Sequence, residues 1–344
     1  MSLFDDSHLG LRLKVAGLGA ALMAANLAAW GWALTAFHGS GVLLGTALLA
    51  YGLGLRHAVD ADHIAAIDNV TRKLMQEGKQ PIGVGFFFAL GHSTVVVVAA
   101  AAIALTESTL QERYPALVAV GGVIGTGVSA GFLFLIAAIN LIVLAGVWRL
   151  FRRVRRGGVY AEAELDIFLA QRGLFGRVFR RLFRLVSRSW HMYPLGLLFG
   201  LGFDTATEIG LLGISAAQAS KGLPVWSILV FPALFSAGMS LIDTTDGVLM
   251  LGAYRWAFVN PIRKLYYNLT VTAVSVIVAA AIGGIEALGL VADRFGFEGR
   301  VWRAIGAAND QFGALGFAIV GIFVATWAVS FIVYRVKGYD KLNA

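Results

Sequence analysis

Residues 41–68 are almost wholly apolar, yet Arg56, His57, Asp60, Asp62 and His63 stand within eight positions there, with Asp68 soon after. A charge near the middle of a bilayer costs roughly 3 kcal/mol or more on insertion scales, so such groups face one another, water or an ion. A lone intramembrane histidine commonly serves packing or a hydrogen bond, and a lone Asp–Arg pair is commonly structural. A cluster this dense argues against either role. Two imidazoles and two carboxylates within seven residues offer nitrogen and oxygen ligands to a divalent cation. Imidazole suits Zn, Cu, Fe and Ni, and by extension Co, whereas Mg and Ca prefer oxygen alone.

Geometry limits how these groups can act together. In one continuous helix Arg56, Asp60 and His63 share a face, His57 lies a turn from Asp60, and Asp62 projects away from them. Binding through both Asp62 and His63 therefore predicts that the helix unwinds at this motif, and Gly52 and Gly54 favour such a local break. Three more apolar stretches contain polar groups. Gly91-His92-Ser93-Thr94 makes His92 the one titratable group between Phe86 and Ala100. Asp204 and Glu208, spaced i,i+4, share a helix face, as do Asp243 and Asp246, spaced i,i+3. Either acidic pair alone fits a proton relay, a polar clamp between helices or a cation site. Four segments that each bring such groups into the apolar region point to one shared cation pathway, and their summed negative charge suits a dication.

The elements that must hold these groups are membrane spans. Only 14% of the 344 residues are charged, against about 25% in soluble domains, and 58% are hydrophobic, with mean hydropathy +0.76. A bilayer-crossing helix needs about 20 apolar residues. Candidate spans fall at 14–37, 41–68, 82–106, 116–148, 194–218, 225–254, 265–292 and 311–335, giving an all-α polytopic protein of about eight helices in one transmembrane domain, 1–344. The first apolar run follows Asp5 and Asp6 and reads as a retained span, not a cleaved leader. Of the 28 Lys and Arg residues, 22 lie at the termini and in the 2–3, 4–5 and 6–7 loops, which places both termini in the cytoplasm. The net charge of +8 thus reports topology and calls for no nucleic acid. The 4–5 loop, 149–193, ends in a basic amphipathic pattern. Leu174, Phe175, Val178, Phe179, Leu182, Phe183 and Val186 face one way and Arg177, Arg180, Arg181, Arg184 and Arg188 the other, as expected of a helix in an anionic leaflet interface. Gly52-Leu53-Gly54 and Gly200-Leu201-Gly202 echo each other in spans of opposite direction, a pattern fitting an inverted repeat with a midplane site. The chain has no cysteine, which excludes disulfides and thiolate metal sites.

The stretch RHAVDADHIAAIDNVTRK (56–73) resembles the signature of the nickel/cobalt transporter (NiCoT) family of single-chain bacterial permeases. FFFALGHSTVVVV (86–98), LGFDTATEIG (201–210) and GMSLIDTTDG (238–247) are similar to further motifs of that family, in the same order. The resemblance implies uptake of Ni²⁺, Co²⁺ or both across the cytoplasmic membrane, with the metal as substrate and no permanent cofactor. It also implies that His57, Asp62 and His63 are central to metal recognition. Asp60 and His92 are the further candidate ligands. Arg56, Asp68, Asp204, Glu208, Asp243 and Asp246 are candidates for the supporting pathway. The chain has no GxxxxGK[ST] loop, so no ATPase activity is expected of it, and it reads as a secondary transporter, not an enzyme. The rival readings are an intramembrane metalloenzyme, although HExxH is absent, and a carrier or channel for another cation such as Zn²⁺, Mn²⁺ or protons, or a sensor or efflux protein.

Overall fold

The structure is a computed structural model that describes residues 6, 10–105, 109–155, 186–202, 206–257 and 261–336. All regular structure among them is helical. The long helices are α1 (Leu11–Phe37), α2 (Gly41–His57), α3 (Ala61–Gln76), α4 (Val84–Leu105) and α5 (Thr109–Arg155). After a 3₁₀ turn at Ser189–His191 come α6 (Met192–Gly200), α7 (Ala206–Ser220), the short α8 (Val225–Ile228) and α9 (Val230–Ala257). The chain closes with α10 (Pro261–Phe295), α11 (Arg300–Asn309) and α12 (Phe312–Val336).

Six helices are long and apolar enough to cross a membrane, and a seventh crossing appears when α2 and α3, bent by 51° at their junction, are taken as one span. The expected span 194–218 is instead two helices, α6 of 9 residues and α7 of 15, each too short to cross alone. The Arg-rich pattern at 174–186 lies almost wholly outside the described residues. Helix α11, with its exposed Arg300 and Arg303, was not read from the sequence because it is short and buries no side chain.

Lipid exposure explains how these helices pack. Helix α1 buries Lys14, Leu18, Leu22, Asn26, Ala29, Ala33 and Phe37, a stripe of steps of three and four. Its other faces expose Leu13, Met23, Leu27 and Leu34, as expected where the solvent is hydrocarbon. Helix α2 starts at Ser40, whose hydroxyl accepts from Leu43 N–H at 3.2 Å. Helix α9 is the central post, packed against α1, α2, α3 and α4. Phe231 of α9 stacks on Phe37 of α1 at 5.3 Å, and Asn26 of α1 links Tyr51 (3.0 Å) to the Ala237 carbonyl (3.3 Å). Close approach needs small residues. A Cβ at Gly85 of α4 would overlap the backbone of Asp243 on α9.

Candidate metal centre

The site begins where span 2 breaks. Helix α2 tightens at its end, with Val59 N–H donating to the Arg56 carbonyl at 3.1 Å and Asp60 N–H to the His57 carbonyl at 2.9 Å. Asp60 is extended (φ −66°, ψ 148°), and Ile64 N–H then donates to the Asp60 carbonyl at 3.2 Å as α3 starts. An aspartate at this position ordinarily caps the new helix through its side chain. Here it does not, and Asp60 Oδ2 lies 3.0 Å from His57 Nδ1.

The break falls at 58–60, inside the motif where the sequence placed it. Gly54 lies inside α2 and serves contact, since a Cβ there would overlap the Phe235 carbonyl of α9. The continuous helix that would align Arg56, Asp60 and His63 therefore does not exist. The bend instead turns His63 toward His57, ring centroids 4.7 Å apart. Arg56 is exposed and lies within electrostatic reach of Asp60. Helix α12 approaches the break through Gly316, where a Cβ would overlap the Val59 carbonyl.

Three buried imidazoles converge. His92, from α4, places its ring 4.8 Å from that of His57 and 4.9 Å from that of His63. One nitrogen from each of the three lies within 4.8 Å of the others. His63 Nδ1 sits 3.2 Å from Asp243 Oδ2 of α9, and its Nε2 has no hydrogen-bond partner among the described residues. His57 Nδ1 is held by Asp60 and by Thr207 Oγ1 at 3.1 Å. A carboxylate on one ring nitrogen fixes the tautomer and leaves a lone pair on the other, the usual arrangement of a metal-binding histidine. His92 Nε2 lies 2.7 Å from Glu208 Oε1 of α7 and 3.0 Å from His57 Nε2. Two nitrogens bound at right angles to one ion, with bonds of about 2.1 Å, are about 3 Å apart. The His57–His92 spacing already meets that condition.

The other candidates divide. Asp62 is half-buried, outside the imidazole trio, yet within electrostatic reach of all three rings and of Asp243. Asp68 makes no hydrogen bond to the trio or its carboxylates among the described residues. It accepts from Tyr254 and, at 2.8 Å, from Ser275, beside Arg72. Asp246 lies within electrostatic reach of Asp68 and Asp243. Asp204 is outside the described residues. Sequence reading missed Thr207, because a hydroxyl among apolar residues gives little signal, and Arg72, which it assigned to a loop although α3 extends to Gln76 and buries it. It also passed over Glu286, whose burial in the apolar α10 was legible.

Comparison with known proteins identifies the family. The family model NicO, described as high-affinity nickel-transport protein, matches residues 43–333. A "High-affinity nickel transport protein" of Cupriavidus necator is 62% identical over 329 residues, 96% of this chain and 94% of the relative. "Nickel transporter NicT" of Mycobacterium tuberculosis is 50% identical, covering 85% of this chain and 79% of the relative. "Cobalt transport protein NhlF" of Rhodococcus rhodochrous is 42% identical, with 87% and 85% covered. No solved structure matches the chain. A match spanning most of the molecule, together with full-length relatives at this identity, leaves one conclusion: the chain belongs to the NicO family of high-affinity nickel-transport proteins.

Proposed function

We propose that this chain takes up Ni²⁺, Co²⁺ or both across the cytoplasmic membrane as a secondary transporter, through a site centred on His57, His63 and His92. The observation that supports it most is three buried imidazoles within bonding reach of one ion, two of them backed by carboxylates, inside a bundle of apolar helices. Asp60, Glu208 and Asp243 orient the rings and offset the charge of the dication. Asp62 stands at the entrance to the site, and Asp246 extends the acidic path. In this reading α6 and α7 form an eighth, interrupted crossing. An even number of crossings puts both termini on the cytoplasmic side, as the Lys and Arg distribution requires. Helix α2 ends at the site with its negative dipole end, an arrangement that broken helices use for cations in transporters. The chain has no phosphate-binding loop for ATP, and the membrane potential is sufficient to drive a dication inward, with proton coupling the alternative.

The test is uptake of radioactive Ni²⁺ into proteoliposomes under an inside-negative potential. The wild-type chain accumulates the label, unlabelled Co²⁺ competes with it, and excess Zn²⁺ or Mn²⁺ competes weakly. His57→Ala and His63→Ala insert normally and transport nothing. High-affinity uptake retained by either variant removes that residue from the site, and stronger competition by Zn²⁺ or Mn²⁺ assigns the chain another substrate.

A further inference from the structure

Glu286 lies in the apolar helix α10 and is only 3% exposed. A carboxylate there is costly unless it faces a polar interior. Its Oε1 accepts from Ser129 of α5 at 2.9 Å, a bond that could serve only to clamp α5 to α10. The space beside it points further. Glu286, Ser129, Thr126 and Asp62 together line a small cavity, closed on its apolar sides by Phe199 and Phe312. The cavity is about the size of one water molecule. It therefore admits a cation stripped of most of its hydration and replaces that water with carboxylate and hydroxyl oxygens. Asp62 is shared: it lines the cavity, precedes His63 directly, and interacts electrostatically with all three imidazoles.

We propose that Glu286, with Thr126 and Ser129, forms an oxygen-lined antechamber through which the metal ion passes to or from the imidazoles, with Asp62 as the hand-over residue. This rests on the transport reading above. The chemistry of the two stations differs in the useful direction. Oxygen ligands hold Ni²⁺ and Co²⁺ less firmly than imidazole does, and conduction requires a site that binds well enough to enter and weakly enough to leave. Glu286 adds its negative charge to that of Asp62 and attracts a dication into a space where an uncharged wall would not.

The experiment separates a path from a clamp. Glu286→Gln keeps an acceptor for Ser129 and the shape of the side chain but removes the charge. Its uptake at Ni²⁺ concentrations well below KM falls at least tenfold, its melting temperature in detergent is unchanged, and Glu286→Asp recovers part of the loss. Uptake within twofold of wild type overturns the proposal and leaves a clamp. Should Glu286→Gln fold poorly, a second measurement decides. The chain has no cysteine, so Thr126→Cys places its one thiol in the cavity, and Cd²⁺, a bare ion with high thiolate affinity, inhibits Ni²⁺ uptake by this variant at least threefold more strongly than uptake by wild type. Equal inhibition of the two overturns the proposal. A wild-type chain that moves no Ni²⁺ speaks against the transport reading itself. Transport by wild type with an indifferent Glu286→Gln sinks only the antechamber.

Discussion

At the scale of residues, two of the three site histidines already have their second nitrogens committed to carboxylates. Asp243 holds His63 and Asp60 holds His57, so each presents Nε2 inward. Such supporting carboxylates typically contribute 10–100-fold in metal affinity. Asp243→Asn should therefore raise the KM for Ni²⁺ by about 10–100-fold, less severe than His63→Ala, as measured by initial uptake rates over a range of concentrations.

At the scale of elements, the half-helix α3 matters most. Its first turn holds Asp62 and His63, and its remaining length is anchored by buried polar contacts. Arg72, 1% exposed, donates to Thr272 of α10 and to Asn69, both at 2.7 Å, and Asn140 of α5 donates to Asn69 at 2.6 Å. Asp68 receives Ser275 of α10 and Tyr254 of α9. Three neighbouring helices thus hold α3 beyond the bend. Removing one partner of a buried charged pair costs about 3–5 kcal/mol, much of it from the charge left behind. Arg72→Met should lower the melting temperature in detergent more than the double variant Arg72→Met with Asp68→Asn does. The opposite order would mean that the two charges do not depend on each other. The break has its own requirement. A Gly316→Val side chain meets the Val59 carbonyl, and overpacking of this kind costs about 1–3 kcal/mol. That variant should melt earlier and bind Ni²⁺ more weakly, by scintillation proximity.

At the scale of the whole molecule, the question is what drives the ion. Moving one charge through 100 mV is worth about 2.3 kcal/mol, so a dication gains about 4.6 kcal/mol. At about 1.4 kcal/mol per tenfold, that supports about 2,000-fold accumulation without ATP. Proteoliposomes with an imposed potential and no pH gradient should accumulate Ni²⁺, and abolishing the potential should stop them. Uptake that follows only a pH gradient would assign the coupling to protons.

The sequence by itself determined the class of the molecule and most of its chemistry. The hydropathy of the spans and the placing of Lys and Arg are properties of the chain that need no fold, because the bilayer reads them residue by residue. The cost of burying a charge in hydrocarbon likewise marked His57, Asp60, Asp62, His63, His92, Glu208 and Asp243 from type and position alone. Tertiary structure decided which of them meet. His57 and His92 are 35 residues apart and His63 and Asp243 are 180 apart, so their pairing depends on helix packing that no local pattern encodes. The bend falls inside the motif where the sequence placed it, but packing decided the use of Gly54, whose lack of a side chain lets α2 touch α9.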